Sequence, residues 1–198
     1  MGTIVIDEKY DKWRKMLKED ISRKRYLHSI GVSNTAACLA MRYGCDIWKA
    51  YIAGLLHDCA KGLGAEEMIR VVQEADIELT KVEKSNPELL HAKAGSVLAR
   101  DKYEIKDEDI LEAIKYHTTG RPSMTLLEKI IFTADYIEPN RSGIPDLDGI
   151  RRIAFTDIDN SIVLICKASI DYLKQKNRVI DVTTVDTYEY YRNLGKEE

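Results

Sequence analysis

The sequence lacks the features that mark membrane, secreted and nucleic-acid-binding proteins. No apolar run approaches the roughly 20 residues needed to span a bilayer. The opening residues 1–6 lack the basic, long apolar and small-residue order of a signal peptide. The four cysteines form no CxxC pair, and we expect reduced, mostly buried thiols. The formal net charge of -3 gives no support for a nonspecific nucleic-acid binder, which usually carries a basic excess. We therefore predict a cytoplasmic protein with no nucleic-acid or membrane partner.

Proline and phenylalanine are also scarce. The chain has only four prolines and two phenylalanines, whereas Leu, Ile, Ala, Lys and Glu dominate, and this composition favours helix over sheet. A hydrophobic fraction of 44% and a charged fraction of 32% are typical of globular proteins and argue against disorder. Because there is no repeat, low-complexity segment or long linker, we expect residues 1–198 to form a single domain.

Helical periodicity recurs along the chain. Asp46 is a suitable N-cap, and Asn86 precedes a proline at a first helical position. Residues 118–122 form a strong break, and residues 138–149, which hold two prolines and two glycines, are predicted to be loop. An all-α bundle is therefore expected, with helices over residues of about 7–19, 22–43, 46–62, 65–75, 87 onward, 108–117, 124–137, 157–175 and 181–194.

The four histidines are each predicted to lie on a helix. His117 continues an apolar face at the i, i+3, i+4, i+7 spacing. His57 closes a helix with a small-residue face, His91 lies in the first turns of its helix, and His28 lies in a helix that is apolar nearly all round. Any one of them alone is more readily explained as a core histidine with a backbone or side-chain partner. Four such positions, with no clearly exposed histidine, favour a shared site.

Two aspartates strengthen this interpretation. Asp58 directly follows His57, and Asp135 lies four residues after Ile131 and eight after Leu127, on an apolar face. An ionised acid in such a place needs a cation or a dense set of donors. A buried Arg or Lys remains an alternative partner. A divalent metal fits better, because imidazole and carboxylate together suit Fe, Mn, Co or Zn.

The order of these residues resembles the signature of the HD-domain phosphohydrolase superfamily. An HD dipeptide alone is common by chance, whereas the ordered set is specific: His28, His57, Asp58, His91, His117 and Asp135. From about residue 25 to 152 the chain more closely resembles the YqeK family of bacterial HD proteins. That likeness rests on three segments, Leu56–Lys61, His117–Gly120 and Ala134–Arg141.

The resemblance implies a compact HD-domain helical bundle with a dinuclear site. The metal-binding core would cover residues of about 22–140, and C-terminal helices would cover about 157–194. Two iron ions are expected, with Mn, Co or Zn as alternatives. This chain has Thr118 where some dinuclear HD enzymes have a second histidine, so the second metal has fewer protein ligands. Carried over by residue, the first metal would be held by His28, His57, Asp58 and Asp135, and Asp58 would bridge to a second held by His91 and His117.

The activity implied by the resemblance is symmetrical hydrolysis of diadenosine tetraphosphate to two ADP. Two metals ~3.5–4 Å apart would activate water and clamp the phosphoryl oxygens. Asp58 and Lys61 are the expected catalytic residues. The expected phosphate contacts are Lys61, Thr118, Thr119, Arg121 and Arg141. As alternatives, the three cations of this set are solvated surface groups, and its two threonines cap the helix end. Arg151 and Arg152 either bind nucleotide or start the next helix.

Three other functions remain open on sequence alone. Another HD-type nucleotidase or nucleotide phosphohydrolase would use the same metals. A catalytically weak nucleotide-sensing module would keep the metal site but turn over negligibly. A purely structural helical protein would hold no metal. The expected partner is a small-molecule dinucleoside polyphosphate or nucleotide, and a homodimer is left open.

Overall fold

A computed structural model describes residues 8–194, and every regular element in that range is helical. Residues 1–7, which include the residues inspected for a leader and the predicted first helical residue, lie outside the described range. The all-α prediction is confirmed. The helices are α1 Glu8–Asp20, α2 Arg23–Tyr43, α3 Ile47–Leu56, α4 Ala65–Glu74, α5 Lys81–Ser85, α6 His91–Asp101, α7 Glu108–Lys115, α8 Leu126–Ile137, α9 Leu147–Ala154, α10 Ile158–Gln175 and α11 Val182–Leu194, with 3-10 turns at Cys59–Gly62 and Pro87–Leu90.

Local capping explains where several helices begin and end. Asp46 accepts hydrogen bonds from the backbone N–H groups of residues 48 and 49 and caps α3, as predicted. Ser22 caps α2, which ends at Gly44 with a φ of 73°, a left-handed conformation that favours glycine. Thr125 and Glu128 form a capping box at the start of α8. These caps fix the limits of the three helices that carry or adjoin most of the predicted ligands.

Some predicted limits are wrong, and one helix was missed. The helix predicted over residues 46–62 ends at Leu56, and a turn and a 3-10 segment follow. The short helix α5 was not predicted. The loop predicted over residues 138–149 ends early, because α9 begins at Leu147 and includes Gly149, so Arg151 and Arg152 lie inside a helix. The buried Leu147, with two further apolar residues on the same face, outweighs the glycine.

The central helices meet around the segments that carry the histidines. α3 contacts α2, α7 and α8, and α6 packs against α7 and the 3-10 segment Cys59–Gly62. α2 and α3 approach to backbone contact, since a Cβ on Gly54 would lie 2.8 Å from Ser33 Cα. α10 packs against α8 and α9, and α11 packs against α10. The fold therefore brings together segments from five parts of the chain.

Between residues 8 and 194, none of the helices has both the length and the apolar character required to cross a membrane.

Candidate metal centre

The six predicted ligands converge in one cluster. All are buried except Asp135, which is partly buried. Two of the six differ in position from the prediction. His57 and His117 lie in the turns that follow α3 and α7 and not inside these helices. The set comprises His28 in α2, His57 and Asp58 after α3, His91 at the start of α6, His117 after α7, and Asp135 in α8.

Three of the histidine rings are oriented by the backbone. In each, Nδ1 donates to the carbonyl three residues earlier, at 2.8 Å for His57, 2.6 Å for His91 and 2.7 Å for His117. A carbonyl oxygen can only accept a hydrogen bond, so Nδ1 carries the ring proton. In the neutral ring, Nε2 then keeps its lone pair, and it is this atom that faces the cluster. Such an arrangement is typical of metal-binding histidines.

His28 is held differently. Its Nδ1 lies 3.1 Å from Oε1 of the buried Glu138, and its Nε2 lies 2.9 Å from Asp135 Oδ1. One nitrogen of the ring therefore faces a carboxylate outside the cluster, and the other faces a predicted ligand.

Asp58 lies at the centre, with one oxygen toward each pair of histidines. Its Oδ2 lies 3.7 Å from His28 Nε2 and 3.3 Å from His57 Nε2. Its Oδ1 lies 3.5 Å from His91 Nε2 and 3.6 Å from His117 Nε2. Asp58 accordingly belongs to two of the groups of side chains that are close enough to share one ion.

The donor set fits a divalent metal better than it fits an internal network. His91 Nε2 and His117 Nε2 lie 3.2 Å apart, and the Thr118 hydroxyl, 3.0 and 3.1 Å from them, has one proton to donate. Burial lowers the pKa of His91 to about 3, so this ring is neutral at pH 7. Two facing lone pairs with one proton between them leave an acceptor unsatisfied, whereas a metal ion accepts both.

Both aspartates are ionised at neutral pH. Burial raises the pKa of Asp58, but the opposing effects of His57 and His117 outweigh burial and hold this pKa well below its usual value. For Asp135 burial also raises the pKa, and the hydrogen bond with His28 is the largest of the effects that bring it below its usual value. Two carboxylates and several imidazoles form a ligand set for a divalent transition metal.

Three cations lie around the cluster. Arg25 Nη1 is 2.7 Å from Asp58 Oδ2. Arg141 bonds Asp135 twice, through Nη2 to Oδ1 at 2.7 Å and through Nε to the carbonyl at 3.0 Å. Burial lowers the pKa of Lys61, while Asp58 raises it, and the net shift is downward. The predicted phosphate contacts Lys61 and Arg141 are thus placed beside the site, and Arg141 is held by a ligand carboxylate.

The other predicted phosphate contacts have partners inside the protein. Arg121 makes a two-bond pair with the buried Glu128, at 2.7 and 3.0 Å. Thr118 directs its hydroxyl at the two histidines, as described above. Thr119 donates to the Gly120 carbonyl at 2.9 Å. Arg121 and Thr119 therefore stabilise the turn after α7 in this structure.

Three residues near the site were not predicted to take part. Arg25 lies one helical turn before His28, a spacing that could have indicated it. Glu138 and Asn140 stand in the segment Ala134–Arg141 that carries the family resemblance, but they fall in a stretch treated only as loop. Their contacts depend on tertiary packing, which periodicity does not report.

A cleft of about 690 Å³ opens next to His28. Arg25 and Arg141, which pair with Asp58 and Asp135, contribute to its wall. Its volume is in the range of small-molecule sites, and its cations suit a polyphosphate. The cleft is lined by Ser22, Arg23, Lys24, Arg25, Leu27, His28, Glu138, Asn140, Arg141 and Ser142.

Comparison with known proteins gives consistent matches. Residues 25–140 match the HD domain family. A Bacillus subtilis protein named symmetrical bis(5'-nucleosyl)-tetraphosphatase is 42% identical over 174 residues, 88% of this chain and 92% of its own. A Staphylococcus aureus protein of the same name is 39% identical over 183 residues, 91% of this chain and 93% of its own.

A solved structure agrees with these matches. It is a Clostridium acetobutylicum protein described as a predicted HD superfamily hydrolase involved in NAD metabolism. It is 41% identical, covers 93% of this chain and 97% of its own, and superposes with a TM-score of 0.90. The family match over residues 25–140 and these relatives, which cover most of the chain, show that the chain belongs to the HD domain family.

Proposed function

We propose that the protein is a metal-dependent phosphohydrolase that cleaves diadenosine tetraphosphate symmetrically into two ADP. The observation that carries the proposal is the Asp58 carboxylate, whose two oxygens face two separate pairs of histidines. Relatives that match most of this chain are named for symmetrical hydrolysis of such tetraphosphates. A purely structural role gives no reason to bury three imidazoles whose Nε2 atoms all face the Asp58 carboxylate.

The proposed ligand assignment follows the two sides of Asp58. His28, His57 and Asp135 would hold the first metal together with Asp58 Oδ2. His91 and His117 would hold the second together with Asp58 Oδ1. We propose two iron ions, with Mn, Co or Zn as substitutes, because imidazole and carboxylate suit all four. When bound, such a metal pair makes water nucleophilic at neutral pH and offsets the charge of the phosphoryl oxygens.

The protein's own groups bind and orient the substrate. The chain of phosphates carries several negative charges, which the cations in the cleft can neutralise by charge-assisted hydrogen bonds. Arg25 and Arg141 also hold the ligand carboxylates in place through their 2.7 Å contacts. Lys61, with Asp58 the expected catalytic group, carries an ammonium in a partly desolvated position beside the cluster, where its charge acts strongly on phosphate.

Symmetrical cleavage requires the central phosphates to lie over the ligand cluster. A nucleotidase would instead need a short pocket that ends at the cluster, with a single terminal phosphate next to it. The cleft on the His28 side has room for an arm of the substrate, which favours the dinucleotide over a mononucleotide. A sensing module with negligible turnover is the remaining alternative.

Chromatography of the early products tests this function. Metal-loaded protein should convert diadenosine tetraphosphate to ADP alone, and in heavy-oxygen water one label should enter the terminal phosphate of one of the two ADP molecules. ATP and AMP in equal amounts would refute symmetrical cleavage. Release of phosphate from mononucleotides, with no attack on the dinucleotide, would favour the nucleotidase, and no turnover of either would favour the sensor.

Lys61→Ala is expected to lower kcat/KM for diadenosine tetraphosphate by about 10- to 100-fold, because hydrogen bonds to charged groups contribute roughly 1.5–3 kcal/mol. The metal content should be unchanged, since Lys61 is not a proposed ligand. Lys167→Ala is the matched control, because Lys167 is an exposed lysine paired with Asp171 on α10. If Lys61→Ala and the control have equal kcat/KM, Lys61 has no role in the reaction.

Two further proposals concern the setting of the enzyme. We propose that it acts in the cytoplasm, on a small-molecule dinucleotide. A homodimer remains a prediction, and sedimentation of the purified protein tests it.

A further inference from the structure

Glu138 is a buried carboxylate that the proposed reaction does not yet use. It follows α8 directly, and its residue is only 1% exposed. Oε1 lies 3.1 Å from His28 Nδ1. Oε2 accepts two hydrogen bonds from Asn140, from the backbone N–H at 2.7 Å and from Nδ2 at 3.0 Å. Both oxygens are therefore engaged, and the side chain has a single defined position.

The packing around Glu138 leaves room for this carboxylate and little else. A Cβ on Gly31, one turn after His28 in α2, would collide with Glu138 Oε2. The glycine thus allows α2 to lie directly against the carboxylate. The close approach places Glu138 Oε1 next to the ring of His28.

His28 needs such a partner because of where it lies. The other three histidines stand at or just beyond helix ends, and their Nδ1 atoms bond the carbonyl three residues earlier. His28 lies inside α2, where backbone carbonyls are used by the hydrogen bonds of the helix itself. A side-chain acceptor must therefore orient this ring, and Glu138 is the acceptor in contact with Nδ1.

We propose that Glu138 is a positioning residue that fixes the orientation and tautomer of His28 and so raises the metal affinity of the His28 side of the cluster. The inference rests on the proposed metal-dependent function. A carboxylate next to the Nδ1 atom of a ligand histidine holds the ring proton on Nδ1. The Nε2 atom then keeps its lone pair and binds the metal more strongly. The His91 and His117 rings have only carbonyl partners at Nδ1, so the two sides of Asp58 should differ in affinity.

Glu138→Gln separates this role from simple packing. The variant keeps the shape of the side chain, and its amide oxygen is expected to stay with Asn140, which offers two donors. The amide NH₂ would then face His28 Nδ1, so that two donors oppose each other. The ring can relieve this conflict by moving its proton to Nε2, where it blocks metal binding.

Mn²⁺ titration, with free ion followed by electron paramagnetic resonance, measures the effect on the full-length protein. Glu138→Gln should bind one Mn²⁺ about 10- to 100-fold more weakly than wild type, in the range found when such outer partners are removed. At saturating Mn²⁺ the turnover of diadenosine tetraphosphate should recover, because the weaker ion binding is then overcome. Glu83→Gln is the matched control, because Glu83 is a buried carboxylate bonded to Thr80 and Lys93 and to no proposed ligand.

Gly31→Ala approaches the same contact from the other side. The added methyl group displaces the Glu138 carboxylate without changing any charge, and alanine is a better helix former than glycine. Weaker Mn²⁺ binding is expected again, with the helical circular-dichroism signal retained. This variant also decides the question if Glu138→Gln fails to fold.

The outcomes distinguish the inference from the function on which it rests. Weaker binding in Glu138→Gln and Gly31→Ala, with Glu83→Gln equal to wild type, supports the role of Glu138. Unchanged affinity in the Glu138→Gln variant, or equal losses in the Glu83→Gln control, overturns the inference alone. A wild-type protein with no affinity for Mn²⁺, Fe²⁺, Co²⁺ or Zn²⁺ overturns the proposed function as well.

Discussion

Asp58→Ala is expected to reduce hydrolysis of diadenosine tetraphosphate by at least about 10³-fold, equivalent to roughly 4 kcal/mol in the activation free energy. The carboxylate has one oxygen toward each histidine pair, so its removal takes a ligand from both proposed metal positions. Initial rates at saturating substrate and metal measure the loss. His57→Ala should have a similar effect, because it removes a fully buried ligand.

The fold should survive the Asp58→Ala substitution. Asp58 follows α3 and makes no side-chain cap of the next segment, and its partner Arg25 is partly exposed and can be hydrated. The far-ultraviolet circular-dichroism spectrum should therefore match that of wild type. Asp181→Ala, which removes a buried aspartate that bonds the backbone N–H of Thr183, is the control and should keep full turnover. Substantial activity in Asp58→Ala would show that the ligand assignment is wrong.

Removal of the metal should lower the free energy of unfolding of the wild-type protein substantially. An ion that binds only the folded chain stabilises it by about 4 kcal/mol at 1,000 times its Kd. For a chain of this length that corresponds to a fall in Tm of about 8–16 °C on stripping. The physical reason is that the six proposed ligands pack into one buried cluster, where a bound ion would be shared by facing imidazole nitrogens and two carboxylates.

Differential scanning calorimetry of chelator-treated and reloaded protein measures this difference. Asp58→Ala serves as the internal control, because a protein without the central ligand should gain little Tm from added metal. Equal Tm values for stripped and reloaded wild type would contradict a metal-supported core.

Much of the site could be predicted from the sequence because its ligands lie within helices or just after them, in the order that the family resemblance describes. Helical spacing places Asp135 on an apolar face of α8, whereas His117 lies in the turn after α7, and the structure brings the two residues together. The all-α fold follows from composition and periodicity. The limits of the single domain stay a prediction, since they depend on chain packing that spacing does not describe. The metal assignment stays a prediction, since it depends on the bound ion.

The features that the sequence did not reveal depend mostly on tertiary contacts. Glu138 lies 110 positions from its partner His28, and no local pattern links them. Arg121 stays a predicted phosphate contact, but the sequence did not indicate that it pairs with the buried carboxylate of Glu128. The start of α9 was predicted as loop because Gly149 was treated as a helix break. Buried apolar residues on one face of α9 stabilise the helix despite this glycine.

Stepwise addition of metal to stripped protein, with ADP formed from diadenosine tetraphosphate measured at each step, tests the central claim most directly. The account predicts no product without metal, and ADP as the sole nucleotide product at a rate that rises with bound metal until the sites are filled. Formation of ADP by metal-free protein would contradict the metal dependence, and ATP with AMP at any metal content would contradict symmetrical cleavage.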